Sequence, residues 1–238
     1  MNRPALYRED LAFVHHEGFG DFARAAGPEL LRLLRKANLR RGTLVDLACG
    51  SGLSASLAQR SGFTVIGVDQ SPAMVRVARR VAPHARFHCR SLHDFELPAC
   101  DVVTILSERL NYLSAGEEPV RRLDGLFARI AGALRPGGFL IFDVMVAGGT
   151  RMNYRNWREG QSWAVLFEVQ EKPSQRLLVR TIVTFRKAQT TWRRAQEMHR
   201  LQLFTRTEVL RGLRHAGLSV RIARRYGHFI LRRATGLS

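Results

Sequence analysis

The stretch Leu44 to Ala55, LVDLACGSGLSA, decides how this chain folds. Leu44 to Leu47 read as a short buried strand, Gly50 and Gly52 as a loop, and Leu53 onward as a helix. A strand, glycine loop and helix in that order cradle a pyrophosphate or another ligand built on adenosine. GSGLSA fits the loose dinucleotide fingerprint, with Ala55 in the third glycine position. The residues before it fit less well. A dinucleotide loop keeps the first strand apolar and has glycine where Ala48 stands, whereas this strand carries Asp46. A carboxylate there suits a ligand with positive charge. S-adenosylmethionine has two such groups, an ammonium and a sulfonium. Nineteen residues after Gly50, Asp69 ends a second strand, where its oxygens can accept both hydroxyls of a ribose.

Outward from that loop the pattern alternates. Strands are expected at Thr43–Leu47, Thr64–Asp69, Arg86–Cys89, Val102–Leu106 and Phe139–Val144. Helices are expected near Leu53–Arg60, from Pro72, and near Pro119–Leu134, the last stopped by RPGG. An earlier helix is expected to open at Pro28, since proline is favoured at a first helical position. Short continuous apolar strands separated by helices describe a parallel sheet covered on both faces. After residue 150 the period changes. WAVLFEVQE, RLLVRTIVTFRK and WRRAQEMHRLQLF read as a three-strand antiparallel meander. A helix follows, with Thr207 as its N-cap and Gly217 just past its end, then strands at Leu218–Arg224 and His228–Arg232.

Composition narrows the class. The chain has 238 residues, 45% of them hydrophobic and 24% charged, enough for one substantial core. No apolar run reaches the roughly 18–20 residues of a membrane span. The N-terminal run, with Arg3, Arg8, Glu9 and Asp10, does not read as a signal peptide, so a cytoplasmic location is expected. Cys49, Cys89 and Cys100 lack metal-site spacing and are expected to be reduced; no metal is expected. Residues 1–150 hold 19 basic against 15 acidic groups, and residues 151–238 hold 19 against 5. Such a basic part could attract nucleic acid. Only three of the 38 basic residues are lysines, which points instead to a compositional bias toward arginine.

Taken in order, VDLACGSG, VDQSPAMVRVA, CDVVTILSERLNYL and LRPGGFLIFDV resemble the motifs of class I S-adenosylmethionine-dependent methyltransferases, over about residues 43–145. The resemblance implies an α/β, Rossmann-like, seven-stranded and mostly parallel sheet with helices on both faces, in strand order 3-2-1-4-5-7-6. It implies a single domain: N-terminal cap helices over 1–42, a cofactor-binding core over 43–149, an inserted antiparallel β lid over 150–205, and a closing helix and strand pair over 206–238. The implied reaction moves a methyl group from S-adenosyl-L-methionine to an O or N atom of a small molecule, leaving S-adenosyl-L-homocysteine. An RNA-binding or RNA-modifying protein of the same fold is the alternative. A monomer or homodimer is expected.

The same resemblance assigns roles by position. Ala48, Gly50 and Gly52 shape the methionine end of the pocket, and Asp46 lies near the ammonium. Asp69 takes the ribose, and Gln70 and Met74 lie along the adenosine. The position after the third strand is often acidic in the family. Here it is Ser91, with Leu92 next and Asp94 three residues on, so which of them faces adenine is open. Tyr7 and His15 belong to the segment expected to cover the cofactor, with His15 toward the substrate. SERLNYL adds Ser107 on the cofactor side and Arg109, Asn111 and Tyr112 as substrate contacts. Trp157 and His228 are further substrate candidates. His199, two residues from Glu197 on one strand face, and Tyr226 are the candidates for catalysis.

Overall fold

A computed structural model describes residues 6–112, 118–148, 152–222 and 228–233. Five parallel strands form the centre of the main sheet: β1 (Gly42–Leu47), β2 (Phe63–Asp69), β3 (Arg86–Cys89), β4 (Cys100–Ile105) and β5 (Leu134–Asp143), in the order β5-β4-β1-β2-β3. Beyond β5 the sheet continues through β11 (His228–Arg233) to β10 (Leu218–Ile222). β11 runs antiparallel to both of its neighbours. A second, antiparallel sheet contains β6 (Asn153–Gly160), β7 (Trp163–Lys172), β8 (Leu177–Ala188) and β9 (Thr191–Gln202), paired in sequence order.

Apolar strands bury Val45, Leu47, Val103, Ile105, Leu140 and Phe142 on one face of the main sheet. There they meet Phe127 and Ile130 of α5 (Pro119–Ala133) and Val209 and Leu213 of α6 (Arg206–His215). The opposite face packs Leu44, Val65 and Ile141 against α2 (Asp21–Lys36), α3 (Leu53–Arg60) and α4 (Pro72–Val81). Burying each such side chain is worth about 1.5–3 kcal/mol. Helix α1 (Glu9–Gly18) lies between the two sheets: Ala12 packs on Ala73 and Met74 of α4, and Val14 on Trp163 and Val165 of β7.

Several boundaries differ from expectation. The second sheet has four strands rather than three. β6 is exposed at every position, so it carries no alternation of apolar and polar residues to announce it. Proline 28 lies inside α2 rather than opening it, because the chain is already helical from Asp21. Helix α6 is capped by Thr205, not Thr207. The Thr205 hydroxyl accepts from the Glu208 amide at 3.1 Å and the Glu208 carboxylate accepts from the Thr205 amide at 2.7 Å, a reciprocal capping box. RPGG belongs to β5, which opens at Leu134 opposite Cys100 and shifts register before Phe139 meets Val102.

Candidate active site

The carboxyl ends of β1, β2 and β5 carry three buried carboxylates, Asp46, Asp69 and Asp143. Parallel α/β sheets bind ligands at this edge. Asp46 accepts from the Thr104 hydroxyl of β4 at 2.8 Å. Burial pushes its carboxyl up to about 6; the Thr104 bond opposes that shift and neighbouring Asp69 adds to it. Asp69 accepts from the Gly50 amide at 3.0 Å and the Ser71 amide at 2.8 Å. The second-strand carboxylate therefore latches the glycine loop of the first.

Loop geometry explains the residue types. Ala48, Gly50 and Gly52 all have left-handed φ, at 65°, 55° and 79°. A Cβ on Gly52 would meet the Ala78 backbone at 2.9 Å, so this glycine sets the packing of α3 on α4. A Cβ on Gly50 would meet no atom within 4 Å and would point into the cleft. Gly50 thus leaves room for a ligand and Gly52 leaves room for a helix. An open approach beside Gly50, flanked by Asp46 and Asp69, fits the cationic, ribose-bearing S-adenosylmethionine.

Asp143 accepts from the amides of Ser107 at 2.9 Å and Glu108 at 2.6 Å, shaping the loop after β4. Ser107 and Glu108 both take left-handed φ there. Burial pushes the Asp143 carboxyl up to about 6 against those two bonds. The Glu108 side chain reaches across to Arg180 of β8 at 2.6 Å.

Two cavities meet here. A small one runs from Asp46, Ala48 and Gly50 to Ser107 and Arg109. A cavity of about 530 Å³ lies between the main sheet, α1 and the inner face of the second sheet. His15, Phe19 and Ser107 line both. The larger one is walled by Leu11, Val165, Phe167 and Ile182, with Tyr7, Glu108, Asp143 and Arg180 as polar groups. Burial first, then the charge of Arg109, push His15 down to about 3, so it is neutral at ordinary pH. Its Nδ1 is buried without a hydrogen-bond partner.

Tyr7 ties these parts together. Its amide donates to Glu197 at 2.7 Å, its carbonyl accepts from the Ser71 hydroxyl at 2.7 Å, and its hydroxyl lies 2.9 Å from that of Tyr112. Arg109 stacks over both tyrosine rings, 4.3 Å from the centre of Tyr7 and 5.2 Å from that of Tyr112. Burial works against charge on Arg109, but the two tyrosines and Asp69 outweigh it.

Other expected residues fall elsewhere. Asn111 is fully buried and structural: its amide bonds the Met145 carbonyl, the Met145 amide and the Gln202 carbonyl, leaving nothing for a substrate. Trp157 is 60% exposed on the outer face of the second sheet, opposite exposed Leu166. It stands three residues from Tyr154 of the cavity rim, and strand alternation sends the two to opposite faces. Met74 is buried against Ala12 and Ala73 beneath the N-terminal segment. Gln70 is exposed beside Cys89, whose thiol donates to the Gln70 carbonyl. Ser91 follows β3 and accepts from the His93 amide at 3.1 Å; Leu92 packs against the core, and Asp94 is exposed. His199 is fully buried and does not line the cavity; it faces Glu197 and Tyr112. His228 opens β11 opposite Asp143. Tyr226 lies outside the described residues. Glu108, Asp143 and Arg180 were not singled out by sequence. An acid closing an apolar strand is a usable signal for Asp143; the other two depend on how the sheets meet.

Among the described residues no His, Cys, Asp and Glu group has the makings of a metal site. None of their helices is long and apolar enough to cross a membrane.

Comparison with known proteins gives a consistent picture. A family model described as a methyltransferase domain matches residues 44–138. A dTDP-3-amino-3,6-dideoxy-alpha-D-glucopyranose N,N-dimethyltransferase of Streptomyces fradiae is 28% identical, over 86% of this chain and 81% of its own. A dTDP-4-amino-2,3,4,6-tetradeoxy-D-glucose N,N-dimethyltransferase of Saccharopolyspora spinosa is also 28% identical, over 90% and 87%. Among solved structures, the sugar N-methyltransferase KedS8 of a Streptoalloteichus species superposes with a TM-score of 0.78 at 23% identity, covering 98% of this chain and 96% of its own. DesVI of Streptomyces venezuelae reaches 0.80 at 19% identity, over 94% and 96%.

Proposed function

Because the chain is a class I S-adenosylmethionine-dependent methyltransferase acting on small molecules, we propose that its acceptor is the amino nitrogen of a nucleotide-linked amino-deoxysugar. The observation that carries this reading is the cavity of about 530 Å³ and the composition of its wall. Leu11, Phe19, Val165, Phe167 and Ile182 suit the apolar edges of a deoxygenated ring, while Glu108, Asp143 and Arg180 suit its remaining polar groups. Whole-length similarity to two dTDP-aminosugar dimethyltransferases supports the same substrate class. Nothing comparable favours RNA.

S-adenosylmethionine, when bound, supplies a methyl group already activated on a sulfonium. The protein's own contribution is position, which can lower a barrier by roughly 7–11 kcal/mol. Asp46 and Asp69 would hold the ammonium and the ribose, with Gly50 admitting the ligand to the backbone. Cavity and cleft meet at His15, Phe19 and Ser107, so the acceptor would be presented there. Arg180 on the cavity wall is paired with Glu108, and the Asp143 carboxylate stands beside them, so the charges around the acceptor are mixed. In this reading the second sheet is the lid of one catalytic domain, and its inner face selects the acceptor.

The test is mass spectrometry of products from dTDP-linked amino-deoxysugars, their hydroxyl analogues and RNA. Gain of one or two methyl groups on the aminosugars alone supports the reading. Methylation of the hydroxyl analogues with equal efficiency, or of RNA alone, overturns it.

A further inference from the structure

One buried chain of polar groups runs from the wall of the larger cavity into the second sheet. Glu197 and His199 point inward from β9, two residues apart on one strand face. His199 Nε2 lies 2.9 Å from Glu197 Oε2, and His199 Nδ1 lies 3.4 Å from the Tyr112 hydroxyl. Tyr112 continues to the Tyr7 hydroxyl at 2.9 Å, and Tyr7 lines the acceptor cavity. At the far end Glu197, itself buried, also accepts from the Arg8 amide at 2.8 Å, and the Arg8 side chain beyond it is 53% exposed.

We propose that Tyr7, Tyr112, His199 and Glu197 form a proton outlet for the methylated amine, resting on the amine reading above. An amine that has gained one methyl carries an extra proton and cannot attack again until it loses it. In one concerted shift the N–H bond breaks and the proton joins the Tyr7 oxygen. The Tyr7 proton passes to Tyr112, and the Tyr112 proton to His199 Nδ1. No tyrosinate accumulates, and the charge ends as an imidazolium beside the Glu197 carboxylate. Glu197 is acceptor-only when ionised, so Nε2 must donate to it and Nδ1 keeps its lone pair in the neutral ring. Burial would raise the Glu197 carboxyl, but bonds from His199 and from the Arg8 and Tyr7 amides hold it below its ordinary value. Burial drives the Tyr112 phenol well above its ordinary value and Arg109 and Arg180 only partly offset this, so the transfer must be concerted and pass through no free tyrosinate. Neutral His15 is the other imidazole facing the chain. Only Tyr7 touches the acceptor cavity; Tyr112, His199 and Glu197 are positioning residues that act through it.

Nitrogen-15 NMR of histidine-labelled protein tests this without any substrate. The expected signal for His199 is a proton on Nε2, facing Glu197, and an Nδ1 shift that moves in Tyr112→Phe. A ring protonated at Nδ1, or at both nitrogens, overturns the proposal, because it could take no proton from Tyr112. With an aminosugar acceptor, His199→Gln keeps a donor for Glu197 but cannot carry a proton. It should raise the ratio of monomethyl to dimethyl product by about tenfold or more, while S-adenosylhomocysteine affinity stays near wild type. Tyr112→Phe should move the ratio the same way and serves if His199→Gln does not fold. An unchanged ratio in a folded variant overturns the outlet. If wild-type protein methylates no amine, the acceptor reading and the outlet fall together, whereas amine methylation with an unchanged ratio in the folded variants overturns the outlet alone.

Discussion

The Gly50 amide and the Asp69 carboxylate, 19 residues apart in sequence, are joined by a 3.0 Å hydrogen bond that closes the glycine loop onto the end of β2. Asp69 therefore has two duties, and they separate by substitution. Asp69→Ala should lose both the loop latch and any ribose contact. Each charge-assisted bond is worth about 1.5–3 kcal/mol, so S-adenosylhomocysteine affinity should fall by roughly 10–150-fold. Asp69→Asn keeps one acceptor oxygen and should recover part of the melting temperature but little of the affinity. Calorimetry and a melting curve on both variants decide whether the two duties are distinct.

Arg109 lines the small cavity with Asp46, Ala48 and Gly50, so a fixed cation stands beside the expected place of a sulfonium. S-adenosylmethionine carries that charge and S-adenosylhomocysteine does not. Two like charges about 6 Å apart at an effective dielectric near 20 repel by roughly 2–3 kcal/mol, an upper figure for a side chain free to turn away. Arg109→Met should accordingly improve affinity for the charged cofactor relative to the neutral product by several-fold. Parallel titrations with the two ligands give the ratio directly. An unaltered ratio would mean that the guanidinium leaves its tyrosine stack when the cofactor enters.

Asp46 gives the cofactor site a pH signature. Burial raises its carboxyl to about 6, so in the free protein it is largely protonated below that pH and ionised above it. A cationic ligand prefers the ionised form. Affinity for S-adenosylhomocysteine, whose ammonium is charged throughout, should rise between about pH 5 and 7 by at most tenfold per pH unit and then level off. Asp46→Asn should be flat, matching the wild-type protein near pH 5 and falling behind it above about pH 6. Fold stability responds with the opposite sign: a carboxyl raised in the folded state stabilises below its unfolded pKa of about 4, and that contribution is lost as pH climbs through about 6. His15 plays no part in this window because it is already neutral above about 3.

Strands β1, β2, β4 and β5 were legible because they are buried on both faces, which leaves largely continuous apolar runs; β3, at the sheet edge, buries only Phe87. The glycine loop, Asp46 and Asp69 were legible because a tight turn and a buried charge are expensive and rarely placed without cause. Strand β6 was not, since all eight of its residues are exposed, and it is held by pairing with β7 and by Arg158 reaching the Gly18 carbonyl. Trp157 was misplaced because its face depends on a register fixed by β7, invisible from its own neighbours. Asn111 looked like a free amide in a loop; three backbone groups, two of Met145 just past β5 and one of Gln202 at the end of β9, absorb it. The pairing of His199 with Glu197 could be read from their spacing. The junction with Tyr7, 190 residues away, could not.

The sheet over 152–202 leaves the main sheet after β5 and returns before α6, so it behaves like a cartridge plugged into a common base. Its inner face can be redrawn without altering the loop at Gly50. Its sockets are specific, and among them are Glu197 onto the Tyr7 and Arg8 amides, Arg180 onto Glu108, Arg186 and Arg193 onto Asp10, Arg158 onto the Gly18 carbonyl, and Gln202 onto Asn111. An engineer transplanting the cartridge between relatives would have to move residues 7–10 and 108–112 with it, or inherit a cavity whose two walls no longer fit each other.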